Sequence, residues 1–230
     1  MGLSQQFTGN DGPHFAAYYR WLVLTRHANL AIKADAILDV GCDDGYLLSQ
    51  QAGHLKVGVD LEARPPAHPS VKLVRADGCS LPFVSGSFDA VLAIDVIEHV
   101  KDDQAFIESI TRVLAPGGRL WLTTPAAQAR LFPSFLTDRA MGGWGHQRMG
   151  HDARHLMSRI PGELRVQVTL WNATVFRHAY LPLRALRVVS PMLARLGARL
   201  CFELDRRLPA GRDYIVLKIT AKNPRQVQSG

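Results

Sequence analysis

The chain has 230 residues, of which 47% are hydrophobic and 20% are charged. This composition is typical of a folded globular protein and excludes an intrinsically disordered one. No apolar run reaches the length that a membrane-spanning helix needs. The formal net charge of +7 at pH 7 leaves two alternatives open, an anionic partner or a basic solvated surface.

The first six residues contain neither a basic region nor an apolar stretch, so we expect no signal peptide. Cys42, Cys79 and Cys201 are widely spaced and odd in number, which fits neither a disulfide framework nor a zinc cluster. We therefore expect a cytoplasmic protein.

Strands and helices are predicted to alternate along most of the chain. Residues 1–12 are predicted as a polar arm, and residues 13–32 as a helix packed on the edge of a sheet. The later elements are predicted at strand 36–40, helix 45–52, strand 55–60, strand 71–76, strand 88–95, helix 104–114 capped by Asp102 and Asp103, strand 119–124, strand 164–171, helices within 173–207 divided at Pro191, and strand 214–221.

This order of elements predicts an α/β fold, a Rossmann-like and mostly parallel sheet with flanking helices. The helices within 173–207 are predicted to form a C-terminal helical lid insertion before the last strand. Pro65, Pro66 and Pro69 exclude an ordinary helix between the second and third strands.

The turn after the first predicted strand is the most informative stretch. An apolar run ends in Asp39, passes through Gly41 and Gly45, and continues into a helical pattern, as at a nucleotide-like site. The glycines are expected to leave room for a ligand near the backbone. Asp60, about 20 residues after the turn begins, is placed to accept the hydroxyls of a ribose.

The charge of this turn selects among nucleotide-like ligands. Asp43 and Asp44 put two carboxylates where a dinucleotide fingerprint would bind phosphate. A carboxylate and a phosphate a few ångströms apart repel each other, and in a partly buried site this costs on the order of several kcal/mol. The turn therefore disfavours a phosphate-bearing cofactor and favours a nucleoside that carries positive charge.

At this point the sequence resembles the class I S-adenosylmethionine-dependent methyltransferases, in particular the type 11 small-molecule group. The resemblance runs from residue 37 to residue 125, in these pieces: Leu38-Asp39-Val40-Gly41-Cys42-x-x-Gly45, Gly58-Val59-Asp60, Ala76-Asp77-Gly78, Leu81-Pro82-Phe83, Ser87-Phe88-Asp89, Ile97-Glu98-His99-Val100 and Leu114-Ala115-Pro116-Gly117-Gly118-Arg119-Leu120.

The resemblance implies S-adenosylmethionine as the cofactor and one methyltransferase domain over residues 1–230. That domain would comprise an N-terminal arm and helix (1–35), a cofactor-binding core (36–125), a substrate and lid region (126–212) and a last strand (213–222). Asp39, Gly41 and Gly45 would border the methionine part, Asp60 the ribose, Leu61 and Asp77 the adenine, and Ile94 and Asp95 the amino group, with Cys42, Asp43, Ala76 and Gly78 beside them.

Asp43 departs from the family, which usually has glycine there. Its carboxylate would point to solvent, pair with the ammonium group of the cofactor, or weaken binding, and the sequence leaves these three alternatives open.

Methyl transfer depends mainly on alignment of the nucleophile, and it needs a base only if the acceptor must lose a proton. His99 is the candidate base, and its alternative role is to fix the loop structurally. His146, His151 and His155 have a spacing that can hold metal, but no further ligand accompanies them. We expect a substrate-lining segment there and no metal. The candidate substrate residues are Tyr18, Tyr19, His99, Trp144, His146 and Arg148.

Residues 179–207 combine several arginines on one helical face with many apolar residues. Either the apolar side packs on the sheet and the arginines are solvated, or the segment makes peripheral contact with anionic lipid or a lipid-linked acceptor.

The residues favour a methyltransferase that acts on a small-molecule or a lipid- or sugar-linked acceptor, at oxygen. A nucleic-acid partner is disfavoured, because Asp95-Val96-Ile97-Glu98 replaces the Pro-Pro stretch of amino-methylating enzymes and no aromatic-interleaved basic groove is visible. A nicotinamide enzyme is disfavoured by the glycine spacing. A non-catalytic protein that binds S-adenosylmethionine or a partner on the same fold is the alternative.

Overall fold

The structure, a computed structural model, describes residues 15–28, 30, 32–43, 45–62, 68–130, 147–148, 150–209, 211 and 213–222. Within this part of the chain, seven strands form one sheet in the order β3-β2-β1-β4-β5-β7-β6. The strands are β1 Lys33–Val40, β2 Ala52–Asp60, β3 Lys72–Arg75, β4 Phe88–Ile94, β5 Leu114–Pro125, β6 Arg165–Trp171 and β7 Tyr214–Thr220.

Helices connect and cover these strands. They are α1 Phe15–Leu22, α2 Tyr46–Ser49, α3 Asp103–Arg112, α4 Ala153–Arg159, α5 Thr174–Val189 and α6 Pro191–Asp205. A π-helical turn continues α1, and short 3-10 turns occupy Gly78–Ser80 and Ile97–His99. The predicted α/β fold is confirmed, and α5 and α6 form the predicted helical insertion before the last strand.

Strands β1 to β5 are parallel, and β7 is antiparallel to both of its neighbours. The central strands carry nearly continuous apolar runs because both faces of the sheet are covered. β1 pairs with β2 on one side and with β4 on the other, so the strand order reverses at this point. A crevice forms at the carboxyl ends of strands on either side of such a reversal.

The core lies in two clusters, one on each face of the sheet. On one face, α1 and α6 pack against central-strand residues that include Leu92 and Trp121. On the other face, α3 and α4 pack against the strand residues that alternate with these, including Val91 and Leu120, since successive side chains of a strand point to opposite faces. The N-terminal helix α1 shares this cluster with central-strand residues, and it also reaches the edge strand β6, where Trp171 Nε1 donates to the Tyr19 hydroxyl at 2.8 Å.

Two further boundaries differ from the prediction. Helix α2 has only four residues, because Ala52 already pairs with Lys33 and starts β2. β5 begins at Leu114 and includes the Pro-Gly-Gly segment predicted to precede it, with an irregularity in its pairing to β4. Residues 61, 62 and 68–70 lie in bends and turns, and the segment between them lies outside the described residues.

The predicted helix signals near Asp102 and Pro191 are confirmed. The Asp102 carboxylate accepts from the Ala105 backbone N–H at 3.0 Å, at the start of α3. Pro191 is the first residue of α6, directly after Ser190, whose side chain caps the helix. Proline at this position loses no helical hydrogen bond, so the chain can turn sharply from α5 into α6.

Candidate cofactor and acceptor site

A cavity of about 950 Å³ opens at the carboxyl ends of the strands where their order reverses. It is lined by the ends of β1, β2 and β4, and also by α1, α5 and the start of β7. This volume is at the upper end of the range for small-molecule sites. The cavity thus has room for a cofactor together with part of a second molecule.

Most of the predicted cofactor residues line this cavity. They are Asp39, Gly41, Cys42, Asp43, Asp60, Leu61, Ala76, Asp77, Gly78, Ile94 and Asp95. Gly45 is not among the lining residues and instead precedes α2. The fold therefore brings together segments that extend from Asp39 to Asp95 in the sequence, as expected at a switch point.

The glycines of the first turn are needed by the protein itself. Gly41 and Gly45 both have φ of +75°. A Cβ on Gly41 would lie 2.5 Å from Val96 Cγ2, and one on Gly45 would lie 2.9 Å from Val71 Cγ1. The turn is left-handed and closely packed, so both glycines leave room for neighbouring side chains rather than simply for a ligand.

The same turn holds the acid that was predicted to contact a ribose. The Asp43 backbone N–H donates to one Asp60 carboxylate oxygen at 3.0 Å, and the Glu62 backbone N–H donates to the other at 3.0 Å. Each oxygen retains capacity to accept a further hydrogen bond. The Asp60 carboxylate is thus oriented by the backbone at the cavity wall.

Three carboxylates create a negative potential around Cys42. Burial, followed by the charges of Asp39, Asp60 and Asp43, raises the pKa of the Cys42 thiol well above its ordinary value. The thiol is therefore neutral near pH 7, and it does not offset the acids. A cation, rather than a phosphate, fits this part of the cavity.

The cavity wall also contains an exposed apolar side chain. Leu61 is 64% exposed although it is a large hydrophobic residue, and it lies in the cavity wall. Asp77 caps the 3-10 turn with one carboxylate oxygen, which accepts from the Cys79 backbone N–H at 2.9 Å. An exposed leucine beside an oriented carboxylate can hold a flat ring with an amino group.

Asp95 lies at the end of β4, with φ of +52°, in the left-handed region. Its carboxylate accepts from the Thr123 hydroxyl at 2.7 Å and from the Tyr214 hydroxyl. Arg20 Nε lies 3.1 Å from its other oxygen. Burial, and next the nearby Asp95 charge, raises the pKa of Tyr214 well above its ordinary value, so that this phenol stays protonated and donates.

Behind the cavity, a buried polar network joins the loops that follow β4 and β5. The Thr124 hydroxyl lies 3.2 Å from a Glu98 oxygen and 3.1 Å from His151 Nδ1, and His151 Nε2 lies 3.3 Å from Asp103. Burial raises the pKa of Glu98 well above its ordinary value, and the Asp95 charge adds to this effect. Burial also lowers the pKa of His151. The structure thus uses His151 as a structural residue.

His99 ends the 3-10 turn after β4, is partly exposed and lines the cavity. Its backbone N–H donates to the Val96 carbonyl at 3.0 Å, which fixes the turn. This position is compatible with both roles that the sequence left open, a base or a loop-fixing residue.

The other predicted substrate residues have different positions. Tyr19 lines the cavity, but its hydroxyl donates to Asp205 at 2.6 Å in the core. Tyr18 stacks on Trp21 and is not a lining residue. Arg148 also lies outside the lining and donates to Asp103 and to the Val100 carbonyl. Trp144 and His146 lie outside the described residues.

Sequence reasoning missed the aromatic and basic wall of the cavity. Arg20 comes from α1, Phe176 and Tyr180 come from α5, and Tyr214 starts β7. The spacing of four residues between Phe176 and Tyr180 on one helical face is the signal that could have found two of them. The part of the chain that the structure describes contains no group of three residues arranged to hold a metal ion.

A sequence profile of the methyltransferase domain family matches residues 38–122. The ubiquinone biosynthesis O-methyltransferase of Xanthomonas oryzae pv. oryzae is 34% identical over 121 residues, covering 44% of this chain and 49% of that protein. The chain thus spans about half the length of the curated relatives it matches.

Solved structures of low identity share the fold. Phosphoethanolamine N-methyltransferase 2 of Haemonchus contortus, in complex with S-adenosyl-L-methionine, has a TM-score of 0.63 at 19% identity over 94% of this chain and 55% of that chain. The cyclase SpnF has a TM-score of 0.56 at 19% identity over 95% of this chain and 86% of that chain.

The crevice, its acidic turn and its strand order define a nucleoside-binding α/β protein. The matched domain confirms, over residues 38–122, the resemblance to the class I S-adenosylmethionine-dependent methyltransferases that is seen in the sequence.

Proposed function

We propose that this protein binds S-adenosylmethionine in the cavity and transfers its methyl group to an oxygen of a small-molecule or a lipid- or sugar-linked acceptor. The observation that carries the cofactor assignment is the group of three carboxylates around Cys42, which belong to Asp39, Asp43 and Asp60. They favour a ligand with a sulfonium and an ammonium group over one with phosphates.

The cofactor would lie along the ends of β1, β2 and β4. Asp60 would accept from the ribose hydroxyls, since backbone N–H groups already orient both of its oxygens. Leu61 and Asp77 would contact the adenine. When bound, S-adenosylmethionine supplies an activated methyl group, so the main task of the protein is alignment of the acceptor.

The acceptor would occupy the part of the cavity lined by α1 and α5. Phe176 and Tyr180 give this wall an aromatic character, which suits an acceptor with a ring or an apolar chain. Transfer to oxygen is supported by the O-methyltransferase name of the relative at 34% identity. His99 would take the hydroxyl proton as the base, because it lines the same cavity.

A non-catalytic role on the same fold is the alternative. SpnF, which shares the fold at low identity, is named a cyclase and not a methyltransferase. Fold alone therefore does not establish methyl transfer.

Cys42, Cys79 and Cys201 are free thiols, which supports the proposal that the protein works in the cytoplasm.

The test has two stages. Calorimetry with S-adenosylmethionine and S-adenosylhomocysteine measures cofactor binding for the native chain, for Asp60→Asn and for the control Glu108→Gln on the exposed face of α3. We expect Asp60→Asn to weaken binding roughly tenfold to 100-fold, the worth of a hydrogen bond to a charged group. The control should bind like the native chain. Absence of binding by the native chain would overturn the cofactor assignment.

The second stage incubates the protein with methyl-labelled S-adenosylmethionine and separate pools of small molecules, lipids and glycans, with product linkage determined by mass spectrometry. We expect label at oxygen in one pool. His99→Asn should lower kcat by roughly 10²-fold or more while cofactor affinity is unchanged. Binding without label in any pool would favour the non-catalytic alternative, and label at nitrogen would overturn the assignment to oxygen.

A further inference from the structure

Helix α6 has two apolar faces, and only one of them is covered by the described residues. Ala194, Ala198, Cys201 and Phe202 are buried against α1 and the sheet. Exposed apolar side chains occupy another face, together with the end of α5: Val188 at 88%, Val189 at 83%, Met192 at 67%, Leu193 at 44%, Leu196 at 61% and Leu200 at 61%. We call this set the α5–α6 apolar surface. The expectation that the apolar side of the segment simply packs on the sheet is thus incomplete.

The apolar surface forms a regular stripe. Met192, Leu196 and Leu200 are spaced by four residues, so they align within about 80° of the α6 circumference. Val188 and Val189 end α5, next to the turn at Ser190. The stripe therefore continues around the corner of the helical hairpin, whereas exposed apolar residues on most proteins are scattered singly.

Basic residues border this stripe. The segment from Thr174 to Phe202 contains five arginines and no acidic residue. Arg199 is exposed and lies one position from Leu200, while Arg184 is exposed on α5. The hairpin brings these two helices together, since a Cβ on Gly197 would lie 2.4 Å from Leu183 Cδ2. The result is an apolar surface with a mainly positive border, because Glu203, the first acid beyond it on α6, is paired with Arg26 and Arg206.

The hairpin is also connected to the cavity. The first half of α5 carries the wall residues Phe176 and Tyr180, and its end carries Val188 and Val189. Tyr180 and Val188 are separated by about 12 Å along the helix axis. One helix, which contains Pro182 between these two residues, thus links the acceptor wall to the exposed apolar surface.

We infer that the α5–α6 apolar surface docks on an anionic membrane, with its leucines and valines in the boundary between headgroups and acyl chains and its arginines at the headgroups. An apolar stripe bordered by arginine is the pattern of helices that lie in this boundary. The negative surface potential of an anionic leaflet attracts such a border, and a neutral leaflet does not. Docking would also hold α5, which carries Phe176 and Tyr180 of the acceptor wall, at the surface where a lipid-linked acceptor resides, and this last point rests on the proposed function.

A second copy of this chain would cover an apolar surface equally well, but two such surfaces would bring their arginine borders together. Like charges across an interface cost several kcal/mol. Charge complementarity therefore favours the membrane over a dimer.

Vesicle flotation tests the inference without any methyl transfer, so its failure is distinguishable from failure of the proposed function. The full chain is mixed with vesicles of phosphatidylcholine alone or of phosphatidylcholine with phosphatidylglycerol. We expect flotation only with the anionic vesicles, and loss of flotation at high salt because screening weakens the arginine contacts.

Two variants separate the apolar and the charged contributions. Leu196→Ser/Leu200→Ser should lower the partition coefficient at least tenfold, because both side chains lose their burial in lipid. Arg184→Gln/Arg199→Gln should lower it roughly 25-fold, at about fivefold for each arginine near an anionic surface. Both variants should keep the native cofactor affinity in solution, which shows that they fold.

The matched controls change equivalent residues elsewhere. Val84→Ser removes an apolar side chain that is 79% exposed in a loop, and Arg154→Gln/Arg165→Gln removes two exposed arginines outside the hairpin. Neither control should lower the partition coefficient more than about twofold. Equal losses in controls and test variants would overturn the inference. Absence of flotation by the native chain would also overturn the inference. This holds if the chain is monomeric, and also if it forms a dimer that Leu196→Ser/Leu200→Ser dissociates.

Discussion

Arg20 Nε lies 3.1 Å from a carboxylate oxygen of Asp95, across 75 residues of sequence. Arg20 belongs to α1, and Asp95 directly follows β4 at the cavity. The other Asp95 oxygen accepts from Thr123 of β5 and Tyr214 of β7. One carboxylate therefore ties the N-terminal helix to three strands of the sheet, and it fixes α1 as a wall of the site.

Arg20→Met should destabilise the protein by about 1–3 kcal/mol. The change leaves the Asp95 side chain, which is only 12% exposed, without its cationic partner. The double variant Arg20→Met/Asp95→Asn should recover part of this loss, because the uncompensated charge is then removed. Urea unfolding at neutral pH measures both free energies of unfolding.

The matched control is Arg26→Met, which removes an ion pair with Glu203 at 3.4 Å whose arginine is 49% exposed. Exposed pairs contribute less than about 1 kcal/mol. If Arg20→Met cost no more than this control, the pair with Asp95 would have no structural importance.

Glu98→Gln should change how stability depends on pH. Burial raises the folded-state pKa of Glu98 above its ordinary value. The contribution of this group to the free energy of unfolding is therefore fully present below its unfolded-state pKa, about 4.3, and is lost as pH rises through the folded-state pKa. Glu98→Gln has no carboxyl group to ionise, so its free energy of unfolding does not decrease in this way as pH rises.

Urea unfolding at several pH values should show the native chain losing stability relative to Glu98→Gln as pH increases above about 4.3. Glu108→Gln, on the exposed part of α3, serves as the control and should leave the pH profile unchanged. A difference between native and Glu98→Gln that is constant with pH would show that Glu98 has an ordinary pKa in the folded protein.

The elements that follow from local pattern were predictable from the sequence. β4 is a continuous apolar run, Asp102 caps α3, and Pro191 separates α5 from α6. The residues of the cofactor turn were also found, because glycine and aspartate at this spacing have a direct physical use.

What could not be predicted depends on contacts between distant segments. The position of α1 on a sheet face and the pair between Arg20 and Asp95 arise only when the chain has folded. The length of α2 is set by pairing of Ala52 with Lys33, which overrides a helical pattern. Tyr19 is aromatic and near the cavity, yet its hydroxyl bonds to Asp205, a residue that no local pattern connects with it.

Gly41→Ala should destabilise the protein by about 2–4 kcal/mol. One part of this cost comes from the left-handed φ of +75°, and the other from a Cβ that would lie 2.5 Å from Val96 Cγ2. Gly86→Ala is a control for the first part alone, since Gly86 has φ of +71° and its Cβ would be 3.8 Å from the nearest atom. Thermal and urea unfolding should therefore show a much lower stability for Gly41→Ala than for Gly86→Ala. Equal costs would mean that Val96 can move aside freely.

Asp43 adopts φ of +51°, which explains why glycine is usual at this position in the family. Asp43→Gly should raise the free energy of unfolding by up to about 1 kcal/mol, and Asp43→Ala should lower it by a similar amount, because alanine tolerates this conformation less well than aspartate does. Both variants remove the same carboxylate.

Cofactor binding by this pair of variants tests the role of the charge separately from the backbone. Asp43 is one of the three carboxylates that raise the pKa of Cys42, so its loss makes the site less negative. We expect both variants to bind S-adenosylmethionine about fivefold more weakly, and to bind S-adenosylhomocysteine, whose thioether sulfur carries no charge, with a smaller loss. Calorimetry at low ionic strength measures these affinities. Tighter binding of S-adenosylmethionine by Asp43→Gly would show instead that the natural aspartate weakens the site.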